Sequence, residues 1–320
     1  MGKQKYKQTV TRQLKDESRK YFSKHENNIT RNRYVNNYFK YIEFCRNQFK
    51  CKNKEECSAY IQQYENHLEE KGYSPSTIHN LLAPVCIYHD VPMSDINKPK
   101  RITSNYKRGR VGTAKQSANN DMNNLKYRRS VEFQKRVGIR RNELKKLTGD
   151  DFMMDESNHP CVRVKRGKGG KTQLQRILPE DVGFIQSYFA DREPDETIFG
   201  SKEIAGNNIN YHYLRALQAQ KAYQYYYCRL KNEEGYREQL KNEIQQRCYL
   251  YRKNKKTGKP ILIPEKELTG TYRLRGDNKQ FALENNLPVK YDRLAVMAVS
   301  VFHLSHFRAD VTVASYLLVK

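Results

Sequence analysis

Through the first hundred residues, apolar positions recur at helical spacing. Between Thr30 and Phe49 they fall at Tyr34, Tyr38, Tyr41, Ile42 and Cys45, one stripe of a helix that ends in a lysine-rich break. A second helix is predicted over Glu55–Glu70, with Ala59, Tyr60, Tyr64 and His67 on one side. Gly72-Tyr73-Ser74-Pro75-Ser76 then reads as a stop followed by an N-cap, because proline is tolerated in a first turn. A third, apolar helix follows through Leu81, Leu82, Val85 and Tyr88. Residues 1–20 carry no such stripe and read as a frayed basic arm. Residues 98–120 are rich in charge and poor in large apolar groups, the composition of an exposed linker.

Beyond that stretch the periodicity changes. A short helix leads into Val131–Leu147, after which Cys161–Val164 alternates like a strand. Gly167-Lys168-Gly169-Gly170-Lys171 is a tight turn and Gln173–Leu178 its partner strand, a hairpin with lysines at its tip. Asp181–Asp191 reads as helical again, and a tyrosine cluster stands at Tyr223, Tyr225, Tyr226 and Tyr227. The pattern is therefore mainly α with a small antiparallel β-sheet.

Composition adds a partner class. At 320 residues the chain is long enough for two domains with their own cores. Lys and Arg number 60 against 35 Asp and Glu, a formal charge of +25. The basic residues are spread along the whole chain, so the folded surface itself carries a positive field. Such a field recruits polyanions, and each phosphate it neutralises releases counterions from nucleic acid. Solubility or RNA binding would produce the same charge. The competing anion, a membrane surface, is disfavoured: no apolar run reaches about 18 residues, and there is no signal peptide or lipidation motif.

Seven cysteines (Cys45, Cys51, Cys57, Cys86, Cys161, Cys228 and Cys248) form no C-x-x-C pair, and no nearby histidine pair completes a zinc pattern. They read as free thiols in a reducing cytoplasm. No acidic cluster has metal-ligand spacing, so neither a metal nor another cofactor is expected, and an acidic-triad nuclease or transposase is disfavoured.

The chemistry-bearing pieces come in a definite order: Gly138-Ile139-Arg140-Arg141-Asn142-Glu143-Leu144, the lysine hairpin, His212-Tyr213-Leu214-Arg215, Leu304-Ser305-His306, and Tyr316. Alone, each has an ordinary reading. Arg140 serves as an exposed helix arginine with Glu143 as its i+3 partner. Lys168 and Lys171 are turn lysines, His212 and Arg215 a solvated pair, and Tyr316 a packing aromatic. His303, after Phe302 on an apolar run, reads as the structural histidine of its pair.

Taken in order, these pieces resemble the tyrosine recombinase (integrase) family over essentially the whole chain. The resemblance implies a two-domain protein: a basic arm (1–14), a helical core-binding domain (15–98), a linker (99–121) and a catalytic domain (122–320) with an insertion at about 230–295. It implies catalysis by Arg140, Lys168, His212, Arg215, His306 and Tyr316, with Glu143 supporting Arg140; Arg141 and Lys171 are the shifted alternatives. Two planar arginine forks would clamp the scissile phosphate, Tyr316 would attack it, and Lys168 would protonate the leaving 5′-hydroxyl. His212 would accept the tyrosine proton, and His306 would donate to the phosphate.

The departures are a serine, Ser305, where glycine is commoner, and a stretch from Arg215 to His306 far longer than the family needs. Tyr272-Arg273-Leu274-Arg275 competes as a degenerate second box, so Arg275 is the alternative second clamp. The role of the insertion stays open: a DNA- or subunit-contacting module, or a surface elaboration. The implied partners are double-stranded DNA with a specific recombination site, a homo-tetramer on paired sites, and an accessory DNA-bending factor, in a prokaryotic cytoplasm and without a membrane. The tail past Tyr316 reads as a short strand over Leu317–Lys320. Two other classes fit the same residues: a DNA-binding relative without catalysis, and a type IB topoisomerase-like enzyme.

Overall fold

The computed structural model describes residues 10–24, 28–100, 121–165, 167, 172–254 and 256–319. It is mainly helical with a small antiparallel sheet, and divides into two compact units, Met1–Ile102 and Thr103–Lys320.

The first unit is all helical. α1 (Val10–Phe22) stands where a frayed arm was expected. Leu14, Ser18 and Phe22 are buried at i, i+4 spacing, a narrow stripe that charged neighbours conceal in the sequence. α2 (Asn28–Phe49) buries Val35, Tyr38, Tyr41, Ile42 and Cys45, close to the expected stripe. The second expected helix is two: α3 (Lys54–Ser58), capped by Asn53, and α4 (Ile61–Glu70). Gly72 takes φ +71, Ser74 caps α5 (Pro75–Tyr88) by accepting from the Thr77 amide, and Pro75 occupies the first turn. Tyr38, Tyr41, Ile42, Ile78, Leu82 and Val85 form the centre of this unit's core.

The second unit opens on α6 (Leu125–Val137), which Gly138 ends in the left-handed conformation. α7 (Arg141–Leu144) follows, then a three-stranded antiparallel sheet: β1 (Phe152–Met154), β2 (Pro160–Val164) and β3 (Gln173–Arg176), in the order β1-β2-β3. Its register pairs Phe152 with Val162 and Val162 with Gln175. The β2–β3 hairpin matches the expected one; β1, only three residues long, has no pattern of its own to announce it. α8 (Val182–Gln186) is shorter than the expected helix, and α9 (Ser201–Ile204) precedes α10 (Tyr211–Asn232).

α10 is the axis of this unit. Its residues Tyr211 and Leu214 belong to a core with Val131, Phe133, Ile139, Leu144 and Val162. Ala216, Ala219, Ala222 and Tyr226, further along, belong to a second core with Leu294, Phe302, Val313 and Tyr316. A helix buried on several sides carries little amphipathic signal.

The inserted stretch is buried in part, through one face of its long helix and a few residues of a hairpin. α11 (Tyr236–Tyr251) contributes Leu240, Ile244 and Cys248 to the core that holds Tyr316, and the hairpin β4 (Thr271–Arg273) and β5 (Lys290–Asp292) contributes Tyr291. α11 is also tied to the sheet by buried ion pairs. Arg176 bonds Asp155 and Glu243 at 2.6 Å each, and Arg247 bonds Asp155 at 2.7 Å. The Arg176 guanidinium lies 3.5 Å from the centre of the Phe302 ring. A cap Arg275 starts α12 (Gly276–Glu284); α13 (Arg293–Ala298), a π-helical turn (Val299–His303), α14 (Ala309–Thr312) and a second π turn (Val313–Leu317) complete the chain.

Candidate active site

Four loops and helices far apart in the sequence converge at one end of α10. The Gly138 turn stops α6 and delivers Arg140 as the residue that starts α7. Glu143 holds it twice, its carboxylate accepting from the Arg140 amide at 2.9 Å and from Nη1 at 2.7 Å. Glu143 is buried while the Arg140 side chain keeps 30% of its surface, so the arginine is fixed at its base and open at its tip. Arg141 points elsewhere: its guanidinium donates to the carbonyl of Ile204 at 2.6 Å and lies over the Tyr211 ring.

Arg215 is the strut of the arrangement. It is 1% exposed, and one guanidinium nitrogen donates to the Gly138 carbonyl, another to the Leu304 carbonyl at 2.8 Å. Those acceptors precede Arg140 and His306 respectively, so one side chain on α10 gathers both loops. Among the described residues no carboxylate hydrogen-bonds Arg215, and its Nε is buried without a partner. Burial lowers its pKa and the charge of Arg140 pushes the same way, opposed by Tyr316 and Glu143. A buried cation without a bonded acid is costly unless an anion completes it.

Tyr316 lies in the π turn Val313–Leu317, closed by the Leu318 amide on the Val313 carbonyl at 3.0 Å. Such turns widen a helix by one residue and are frequent at functional sites. The ring is 7% exposed and stands edge-on to His212 at 5.2 Å between centroids. It is 5.7 Å from the His306 ring, and the Arg215 guanidinium is 5.8 Å from its centre.

His306 sits between two left-handed residues, Ser305 (φ 53) and Phe307 (φ 55). Its Nδ1 meets Ser300 Oγ at 3.2 Å, and that oxygen also accepts from the Arg308 amide at 2.6 Å. With the Ser300 hydroxyl proton given to Nδ1, the neutral ring keeps its own proton on Nε2, which is buried and unpartnered among the described residues. Burial first, then the charges of Arg215 and Arg140, lowers the His306 pKa to about 3. His303 is turned inward, between Gln218 at 2.9 Å and Tyr226 at 3.1 Å, and burial lowers its pKa to about 3.

Arg140, Glu143, His212, Arg215, His306 and Tyr316 are thus brought together. Arg275 is not: it is exposed at the start of α12, and its carbonyl accepts from Lys279. Lys168 and Lys171, between β2 and β3 in the sequence, lie outside the described residues. The neighbouring Lys165 is committed to Asp150 at 2.5 Å and Thr148 at 3.0 Å. Past Tyr316, Leu317–Val319 is buried against α10 with no strand partner; Gln220 donates to the Val319 carbonyl at 2.6 Å. Leucine and valine packing, rather than a ladder, holds that tail. Ser300 and the Gly138 and Leu304 carbonyls were not foreseen: a serine on an apolar run and two backbone oxygens carry no signal until the chain is folded.

No protein-family model matches the chain, and no curated protein does. Three solved structures are similar to it. The crystal structure of XerA recombinase is 17% identical, covers 66% of this chain and 84% of that one, and has a TM-score of 0.23. An integrase from mycobacterium phage Brujita is 15% identical over 66% of this chain and 78% of that one, with a TM-score of 0.22. The Tn1549 transposon integrase, in complex with transposon right-end DNA, is 13% identical over 97% of this chain and 95% of that one, with a TM-score of 0.31. One is a recombinase and two are integrases. At such TM-scores the likeness carries no argument about chemistry, which rests on the residues of the site.

Proposed function

We propose that this protein is a DNA strand transferase of the tyrosine recombinase type, cleaving and rejoining duplex DNA at a specific site through a 3′-phosphotyrosine. The observation that carries the reading is Arg215: a buried guanidinium with no bonded carboxylate among the described residues, 5.8 Å from the centre of the Tyr316 ring and flanked by Arg140. That surplus of buried positive charge beside a phenol suits a phosphodiester. Negative charge grows on its non-bridging oxygens during attack, where fixed cations act most strongly.

In this reading Tyr316 Oη attacks the phosphorus and the 5′-oxygen leaves, so one phosphoester replaces another and no energy source is consumed. His212, edge-on to the nucleophile, takes its proton. Arg140 and Arg215 neutralise the oxygens, and His306 donates from Nε2, the nitrogen left without a partner. A histidine neutral down to about pH 3 is a hydrogen-bond donor, not a second source of charge. Lys168, or Lys171, is the proposed acid for the leaving 5′-hydroxyl. The partners are duplex DNA bearing the recombination site, a tetramer on two such sites, and an accessory bending factor.

The test uses nicked duplexes drawn from the DNA that flanks the encoding gene, tiled to include every short inverted repeat found there. A covalent protein–DNA band is expected, absent in Tyr316→Phe while binding persists. A band of equal intensity in Tyr316→Phe would refute the assignment. Arg215→Ala is expected to lower cleavage about 100- to 1,000-fold, with Arg275→Ala unchanged; the reverse result would move the second clamp to Arg275.

A further inference from the structure

The first unit contains a second concentration of chemistry, unrelated to the site above. Cys45, Cys51 and Cys57 are all buried, and a sulfur from each lies within 4.8 Å of the others. Their spacing is regular, Cys-x5-Cys-x5-Cys. Local structure folds it inward. α2 ends at Phe49, Lys50 turns left-handed (φ 56), and the Cys51 amide reaches back to the Cys45 carbonyl at 3.4 Å. Asn53 Oδ1 then accepts from the Glu56 amide at 2.8 Å, and Glu56 Oε2 from the Lys52 amide at 2.7 Å, starting α3. α3 carries Cys57 into the core, where its carbonyl accepts from the Tyr41 hydroxyl.

A positive group adjoins the cluster. Arg46 Nη1 donates to the Cys51 carbonyl at 2.6 Å, whereas its Nε is buried without a partner among the described residues. We propose that Cys45, Cys51 and Cys57 bind a single thiophilic metal ion through three thiolates. A metal–sulfur bond of about 2.3 Å puts such sulfurs roughly 3.8–4.0 Å apart, within about 1 Å of their separation here. The chemistry is that of soft thiolate ligands, which take Zn2+ or Cu+. Three Cys–SH protons leave to solvent as three metal–sulfur bonds form, leaving an anionic complex. The ion would pin the end of α2 to α3.

The test takes the full chain, purified under reducing, anaerobic conditions and stripped with chelator, then titrated separately with Zn2+ and Cu+. One equivalent of one ion is expected by elemental analysis and native mass spectrometry, with about three protons released per ion, and with the higher affinity naming the metal. Cobalt should give thiolate-to-metal charge-transfer bands. Cys51→Ser should lose the ion and Cys228→Ser, at an exposed cysteine, should keep it. Circular dichroism checks that Cys51→Ser is folded; where it is not, wild-type proton release decides. No stoichiometric ion in either titration, an ion retained in folded Cys51→Ser, or binding without proton release would each overturn the proposal.

Discussion

Ser305 is where local conformation and the site's demands conflict. The left-handed region costs a non-glycine residue roughly 1–2 kcal/mol, yet the chain must enter it to aim His306 between Ser300 and Tyr316. Ser305→Gly should therefore raise stability, by about 1 kcal/mol after the added freedom of the unfolded chain is counted. Thermal denaturation checks this, and a lower midpoint would contradict it. Gly138 is the opposite case. At φ +70, a Cβ would stand 2.9 Å from Gln218 Oε1, so Gly138→Ala strains the turn whose carbonyl Arg215 holds and crowds the buried Gln218 that bonds His303. A loss of more than about 1 kcal/mol is expected in urea titration, with a proportionally larger loss of cleavage.

His303 and His306 set a pH dependence. Both are held neutral by burial with folded pKa values of about 3, whereas the unfolded chain takes up these protons near pH 6.5. Their contribution is complete above pH 6.5 and is lost as pH falls towards 3, by about 1.4 kcal/mol per pH unit for each histidine. Denaturant titrations at pH 7 and 5 should show this slope, reduced by about one proton in His303→Gln. An unchanged slope would show that His303 is not held neutral.

At the level of elements, α10 and the inserted α11 decide the architecture. α10 passes through both cores of the second unit, so His212 and Arg215 lie where those cores meet. α11 supplies Leu240 and Ile244, both fully buried, to the core behind Tyr316. This helix of the insertion is thus part of the core that holds Tyr316. Leu240→Ala should cost about 2–5 kcal/mol, against less than about 0.5 kcal/mol for a truncation on a solvated module. Denaturation of the variant separates the two.

Across the whole chain, a charge of +25 makes phosphate contacts the main source of affinity for DNA in the proposed function. Binding should weaken linearly on a log–log plot against salt, with a slope of about −0.9 for each phosphate neutralised on duplex DNA. Fluorescence anisotropy across a salt series measures it, and a flat dependence would argue against phosphate-dominated binding.

The amino-acid sequence alone determined those features whose cause is local. Ser74-Pro75 starts a helix because its side chain and fixed φ act within one turn, Gly72 and Gly138 end helices because they accept positive φ, and the β2–β3 hairpin follows from alternation on either side of a glycine-rich turn. The order of Arg140, His212, Arg215, His306 and Tyr316 was legible as well, and the fold brings those residues to one place. Tertiary structure decided whatever depends on partners distant in the chain. Arg141 and Arg140 are equivalent in sequence, and only the loop at Ile204 and Asn207 draws one of them away. Arg215 meets Arg140 and Tyr316 because two distant backbone carbonyls hold its guanidinium, while Arg275 stays exposed. α1 is a helix because Leu14 and Phe22 find a core, α11 is buried on one face because Leu240, Ile244 and Cys248 join the core that holds Tyr316, and three cysteines of unremarkable spacing meet because a left-handed turn at Lys50 folds them together. In each case the deciding energy is burial or a long-range hydrogen bond, which does not exist until the chain has closed on itself.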